Sequence, residues 1–207
     1  MGLLKLLFNN PLAFLLIAIP LLYSIILHEL AHGWVAYRLG DPTAKRLGRL
    51  SLNPLKHLDP VGTLMLFVFG FGWAKPVPVN FNQLHNRHGA MILVSAAGII
   101  ANLLLAFLAI FLDRLLAPSS SSIFSALLYY LAQINIILAA FNLIPLPPLD
   151  GSKILLGFAP PKIQNILFRI EPYGLFIILG LLYLGALSPV IAFFKGMILS
   201  VINLLLS

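Results

Sequence analysis

Residues 9–40, NNPLAFLLIAIPLLYSIILHELAHGWVAYRLG, form an apolar run long enough to cross a bilayer, and inside it stands His28-Glu29-Leu30-Ala31-His32. A helix needs about 20 apolar residues to traverse the hydrocarbon layer. Asn9 and Asn10 suit a helix cap, Pro11 a first turn, and Arg38 with Gly40 an end, so a first span is expected from Pro11 to about Val35. Pro20 lies about two turns before His28 and predicts a kink just outside the motif. Helical positions i and i+4 are about 400° apart, which brings His28 and His32 onto one face where two imidazole nitrogens can grip one zinc ion. Glu29 then lies beside the metal, placed to take a proton from a water that zinc acidifies to a pKa of about 7. Soluble helices acquire this pattern by chance. In lipid each ionisable group near the bilayer centre costs about 2.5–3.5 kcal/mol, so two histidines and a glutamate kept there point to use.

Composition agrees with a chain that lives in lipid. Hydrophobic residues make up 60% of the 207 positions and charged ones 9%, with mean hydropathy +1.01. That combination excludes an ordinary soluble domain. The length suits a single domain, residues 1–207, built as an all-α polytopic bundle of about five or six transmembrane helices. A net charge of +7 could suggest nucleic acid in a soluble protein. Here the basic residues flank apolar spans, where anionic lipid and the positive-inside bias account for them, and no nucleic acid partner is expected. The absence of cysteine removes disulfides and thiolate ligands, so a metal must be held by His, Asp or Glu. Lys5 ahead of an apolar stretch also fits a secretory leader. The apolar character continues through His28 to Tyr37 without a small-residue cleavage site, so a retained span is expected.

Beyond the first span, residues 38–59 are polar and basic, and Gly48 to Asn53 alternates in strand fashion before Pro54 stops it. Val61 to Phe71 is apolar but only about half a crossing long, which predicts a re-entrant or interfacial loop. Lys75-Pro76-Val77-Pro78-Val79-Asn80 reads as an edge strand, because its prolines delete donors along one side. Together these segments predict a small β element near the cytoplasmic face, able either to accept an unwound substrate strand or to pair internally. Further spans are expected over Gly89 to about Phe111 and from about Ile123 to Ile144, with a small polar turn at Ser119 to Ser122 between them. Pro145, Pro147 and Pro148 force extended backbone up to Asp150-Gly151. Tyr173 to Leu187 and Val190 to Leu206, divided by Ser188-Pro189, are two spans or a hairpin.

Orientation follows from the basic residues. Arg38, Lys45, Arg46, Arg49, Lys56, Lys75 and Arg87 lie between the first two spans, against Lys5 before them and Arg114 after, so that segment is expected in the cytoplasm. The chain then returns to the same face near Asp150, beside Lys153, Lys162 and Arg169. At about 1.5 Å per residue, His28 and His32 lie roughly 15 and 9 Å from Arg38, at a depth Asp150 can share. Two histidines leave a zinc site incomplete. Asp41 and Asp59 belong to the basic loop, Asp113 to the outer face and Glu171 to the last spans, so Asp150 is the favoured third ligand. Irregular backbone at such depth is tolerated only inside protein or against a wet cavity.

The chain resembles the site-2 protease family of intramembrane zinc metalloproteases. The resemblance rests on His28-Glu29-Leu30-Ala31-His32 within a span and on Asn142-Leu143-Ile144-Pro145-Leu146-Pro147-Pro148-Leu149-Asp150-Gly151, similar to that family's second metal-binding signature. Gly72 to Asn80 resembles a compact microbial branch. The resemblance implies one zinc ion held by His28, His32 and Asp150, with Glu29 as catalytic base. Ala97-Gly98-Ile99-Ile100-Ala101-Asn102 is similar to a further family motif in which proline usually follows the glycine; here Ile99 stands instead. Asn102, polar within an apolar span, either donates to the substrate carbonyl or its developing oxyanion, or makes an interhelical hydrogen bond. Asn142 faces the same choice, with support of the proline segment as its structural option. His85 and His88 stand at a span boundary, where a solvated role outweighs metal binding. His57 is given a local structural role, and Trp34 and Trp73 read as interfacial anchors.

The expected function is that of a zinc endopeptidase of the plasma or inner membrane. Its active site is expected toward the cytoplasm, and it hydrolyses a peptide bond in or near the transmembrane segment of single-span membrane protein substrates within the lipid bilayer. The rival is a zinc-binding transporter or non-proteolytic scaffold with the same ligands. Glu29 discriminates, since only a protease needs it for turnover.

Overall fold

In the computed structural model, which describes residues 3–84, 87–116, 119 and 122–207, the long apolar runs become helices that pack through their smallest residues. Helix α1 (Leu3–Asn9) leads into α2 (Pro11–Arg38), a helix of 28 residues that continues through Pro20. Asn10 caps α2, its Oδ1 accepting the Ala13 N–H at 3.0 Å, and Pro11 fills a position that needs no donor. After a short α3 (Thr43–Arg46) and α4 (Pro60–Phe69), helix α5 runs from Arg87 to Leu116 and α6 from Ile123 to Asn142. Then follow α7 (Asp150–Phe158), α8 (Pro161–Ile170), α9 (Gly174–Tyr183) and α10 (Ser188–Leu205).

Among the described residues, five helical stretches are long and apolar enough to cross a membrane: Pro11–Arg38, His88–Leu116, Ile123–Asn142, Pro161–Tyr183 and Ser188–Leu205. Helix α5 sits centrally, against α2, α6 and α7, while α6 also touches α2 and α10. Ala106 and Ala109 of α5 and Ala132, Ala139 and Ala140 of α6 are buried where these helices meet. Lipid tails are as apolar as leucine, so helix association in a membrane gains from close approach, and alanine permits it. Ile99, Ile136, Ile198 and Ile202 fill the space beside them, while other large apolar residues face outward: Leu104, Leu115, Phe193 and Leu204 are each more than 60% exposed on the outside of the bundle.

The fourth span begins earlier than the hydropathy of Tyr173 to Leu187 suggests. Helix α8 carries Lys162, Gln164, Asn165 and Arg169 on an otherwise apolar frame, which lowers its average while leaving Leu167 to pack on Met91 and Leu156. Gln164 Nε2 closes the end of α7 by donating to the carbonyls of Leu156 and Ala159 at 3.2 and 2.9 Å. Helices α9 and α10 are two separate elements joined at Gly185, whose φ of 72° is the left-handed conformation that closes a tight turn.

The expected β element is not formed. Among the described residues the only bridge is an isolated antiparallel pair, Leu58 with Ala74. The reason lies in where the backbone donors go. Lys75 N–H donates to the His57 carbonyl at 2.8 Å, Val77 N–H to Glu29 Oε2 at 2.8 Å and Asn80 N–H to Asp41 Oδ2 at 2.6 Å. Side chains thus take the Val77 and Asn80 donors, a loop carbonyl takes that of Lys75, and the link to residues 48–53 is the Arg49 guanidinium on the Lys75 carbonyl at 2.8 Å. Gly48, at φ 62°, turns that stretch back on itself. The apolar half-crossing is α4, a helix of 10 residues and so about 15 Å long, too short to span. It is locked to the chain that follows it: a Cβ on Gly62 would lie 2.1 Å from the Trp73 carbonyl oxygen, and one on Gly72 2.1 Å from that of Gly62. Part of the expected turn at Ser119 to Ser122 and all of His85 lie outside the described residues.

Candidate metal centre

Helix geometry alone sets the first half of the site. His28 and His32 project from one face of α2 with ring centroids 4.6 Å apart and planes at 89°. Their Nε2 atoms are 3.0 Å from each other. The second half arrives from 118 positions along the chain beyond His32, where Leu143 to Leu149 leaves α6 in a series of turns and α7 starts at Asp150. Asp150 Oδ2 lies 3.1 Å from both imidazole Nε2 atoms. The first turn of α7 rests directly on the end of α6. A Cβ on Gly151 would meet the Leu143 and Ile144 carbonyl oxygens at 2.4 and 2.6 Å, so only glycine lets the aspartate come so close.

The three donor atoms suit a metal ion. Ligands about 2.0–2.1 Å from a tetrahedral zinc lie about 3.3–3.4 Å apart, close to the separations of 3.0 and 3.1 Å found here. Their protons are already committed elsewhere. His32 Nδ1 lies 2.6 Å from the Val94 carbonyl, which can only accept, so the ring proton sits on Nδ1 and Nε2 presents a lone pair. His28 Nδ1 is likewise 2.6 Å from Asn102 Oδ1. Asp150 Oδ2, buried, finds no hydrogen-bond donor. Neutral imidazoles and a carboxylate oxygen so close repel one another unless a cation lies between them. Helix α5 packs closely against the pair, since a Cβ on Gly98 would stand 2.4 Å from His32 Nε2 and 2.6 Å from His28 Cε1. Among the described residues, this is the one group of His, Asp or Glu side chains that could hold a metal.

The other sequence candidates fall at varying distances from this centre. Glu29 follows His28 on α2, half-buried, with its carboxylate on the Val77 N–H. Asn102 is fully buried; besides His28 it engages Asn135, Nδ2 donating to Oδ1 at 2.8 Å. Asn142 donates to the Leu138 carbonyl of its own helix at 3.0 Å. His57 is buried in the loop with Nε2 2.7 Å from the Ser51 carbonyl, and His88 is exposed at the start of α5. Trp34 lies under the Arg38 guanidinium at 5.2 Å. Lys153 Nζ stands 4.0 Å from the other Asp150 oxygen, Oδ1. Sequence reasoning placed Gly98 in the motif Ala97 to Asn102 without giving it a role, and it passed over Asn135 and the Val94 carbonyl. Asn135 did carry a signal, being one of three amides in the apolar run 123–144, with Gln133 and Asn142, and it is the one that is buried, whereas nothing local marks a backbone carbonyl.

A helical membrane bundle that gathers two imidazoles and a carboxylate around one buried point, with a glutamate next to it in sequence, defines the class of intramembrane metallohydrolases. The comparisons place it within that class. Residues 117–182, which include Asp150, match Peptidase family M50. Two relatives, each carrying the name "Putative zinc metalloprotease", are YwhC of Bacillus subtilis and Rip2 of Mycolicibacterium smegmatis. YwhC is 44% identical over 172 residues, 80% of this chain and 78% of its own length. Rip2 is 32% identical over 179 residues, 84% of this chain and 69% of its own. No solved structure matches the chain. The chain belongs to Peptidase family M50, and it is a multi-pass intramembrane zinc metalloprotease that acts on membrane proteins in the bilayer.

Proposed function

We propose that His28 Nε2, His32 Nε2 and Asp150 Oδ2 hold the zinc of this protease, and that Glu29 is its catalytic base. The observation that carries this reading is the convergence of those three atoms, 3.0–3.1 Å apart, from two elements distant in sequence. Zinc bound there would supply Lewis acidity, lowering the pKa of water to about 7 and polarising a carbonyl oxygen. Glu29 takes the proton of the attacking water as the new C–O bond forms, then returns it to the departing amine as the C–N bond breaks. The cycle consumes one water and leaves the carboxylate as it began. His28 and His32 turn Nδ1 to Asn102 Oδ1 and to the Val94 carbonyl, which leaves each Nε2 lone pair facing the metal position. Asn102 acts through His28 in this reading, because its oxygen and one amide hydrogen are committed within the protein.

The basic residues Arg38, Lys45, Arg46, Arg49 and Lys56 favour a cytoplasmic loop, which puts the metal centre toward the cytoplasmic side of the cell membrane. Residues 1–207 act as one unit. Single-span proteins are the proposed substrates, since a lone helix can unwind to expose a peptide bond without dismantling a bundle. The test is to incubate purified wild type and Glu29→Gln with single-span proteins in detergent, with and without a chelator. Cleavage by zinc-loaded wild type alone is expected, and it should return when zinc is added back to the chelated enzyme. Products from Glu29→Gln would remove the base from the mechanism, and products from chelated enzyme would remove the metal.

A further inference from the structure

We infer that Asn135 is a positioning residue of the metal centre: through Asn102 it fixes which nitrogen of His28 carries the proton. This rests on the proposal that His28 binds zinc through Nε2. Asn135 lies on α6, is fully buried, and has its hydrogen bonds to Asn102, Ser24 and Leu131. Its Nδ2 donates to the Leu131 carbonyl at 2.8 Å and to Ser24 Oγ at 2.8 Å, and its Oδ1 accepts from Asn102 Nδ2 at 2.8 Å. Asn102 Oδ1 then meets His28 Nδ1 at 2.6 Å. The chain of bonds ties α2, α5 and α6 together behind the site.

Its direction is forced from one end. A backbone carbonyl only accepts, so the Leu131 oxygen requires the NH₂ of Asn135 to face it. The Asn135 oxygen must then face Asn102, which obliges Asn102 to turn its NH₂ that way and its oxygen toward His28. An amide oxygen also only accepts, so His28 must carry its proton on Nδ1 and leave the Nε2 lone pair to the metal. His32 reaches the same state in one step, from the Val94 carbonyl. His28 faces a side chain that could be flipped, and the second asparagine removes that freedom by anchoring it to a helix backbone. Ser24 Oγ can donate or accept, so it stabilises the array without setting its direction.

The experiment compares purified wild type, Asn135→Leu, Asn135→Asp and Ser24→Ala. Zinc affinity is measured by competition with a chelator, and the His28 tautomer by ¹⁵N-histidine NMR of the metal-free protein. Wild type should show His28 protonated on Nδ1. Asn135→Leu should show both tautomers and bind zinc about 10–100-fold more weakly, the range typical of lost outer-shell partners. Asn135→Asp, as the neutral acid with its O–H on the Leu131 carbonyl, keeps an acceptor toward Asn102 and should restore the single tautomer and most of the affinity. Ser24→Ala should change neither readout, because the Leu131 carbonyl remains. A wild-type His28 protonated on Nε2, or unchanged affinity and tautomer in Asn135→Leu, would overturn the inference. Where Asn135→Leu does not fold, Asn135→Ala replaces it and the wild-type tautomer still decides. If wild type binds no zinc, or His28→Ala binds it as well as wild type, the ligand assignment itself fails, which is a separate outcome.

Discussion

The Glu29 carboxylate accepts the backbone N–H of Val77 at 2.8 Å, joining the residue beside the metal ligands to an extended segment 48 positions away. Pro76 and Pro78 have no N–H, so Val77 offers the sole backbone donor between Lys75 and Val79. Its side chain also seats the segment on α2: a Cβ on Gly33 would lie 2.7 Å from Val77 Cγ1. A hydrogen bond to a charged group contributes about 1.5–3 kcal/mol. Glu29→Ala should therefore speed hydrogen exchange at the Val77 amide at least about tenfold, whereas Glu29→Gln keeps an accepting oxygen and should protect it largely as in wild type. Exchange mass spectrometry on the peptide spanning residues 75–79 reads both, and equal protection in the Ala variant would show that the bond is not maintained.

Gly98→Ala should disable the metal centre without harming the helix. Alanine favours helix by about 0.8–1.0 kcal/mol over glycine, yet the added methyl falls 2.4 Å from His32 Nε2. Overpacking of this kind costs about 1–3 kcal/mol, which corresponds to roughly a 5–150-fold loss of zinc affinity. Circular dichroism should be unchanged while chelator competition shows the weaker site. Normal zinc binding by this variant would contradict the close approach of α5 to the imidazoles.

Asp150→Asn preserves shape and removes the charge and the anionic donor. Zinc affinity should drop by more than about 100-fold, beyond the loss typical of outer-shell changes. Cleavage should fall in parallel and recover partially as the zinc concentration is raised. Retention of both at wild-type levels would mean that the carboxylate 3.1 Å from the imidazoles is no ligand.

Acid should loosen the loop that carries Val77, through Asp41. Burial alone would raise the pKa of this carboxyl, but the Thr43 hydroxyl, the Asn80 and Thr43 N–H groups and the nearby Arg46 outweigh it and hold it below the ordinary value. A carboxyl depressed in the folded state stabilises the fold above its unfolded pKa of about 3.9, and that stabilisation is lost as pH falls from there through the folded value. In a Trp34→Phe background, Trp73 fluorescence should stay level from pH 7 to about 4 and change below it. Asp41→Asn should show the altered signal already at pH 7. A flat response down to the lowest pH, in a protein that stays folded, would sever Asp41 from the anchoring of the segment at Asn80.

The sequence by itself determined what depends on neighbours along the chain. Hydropathy over about 20 residues marked the spans, because transfer to lipid is a sum over local side chains. The i, i+4 spacing put His28 and His32 on one face, because helix periodicity is fixed by the backbone. The prolines before Asp150 marked a broken helix at membrane depth, and the structure brings that carboxylate within 3.1 Å of both histidines. Partners of backbone donors are a different matter. Residues 75–80 have strand character and an edge strand's pattern of prolines, yet their N–H groups go to Glu29, Asp41 and the His57 carbonyl, because packing on α2 put those acceptors nearer than any strand. The amphipathic α8 escaped a hydropathy average for a related reason, since it finds its apolar partners in Met91 and Leu156. The relay from the Leu131 carbonyl through Asn135 and Asn102 to His28 spans three helices, and its direction follows from which lone pairs face which hydrogens once those helices have docked. Only the tertiary structure decides that, because a hydrogen bond is set by distance and angle in space, which spacing along the chain does not specify.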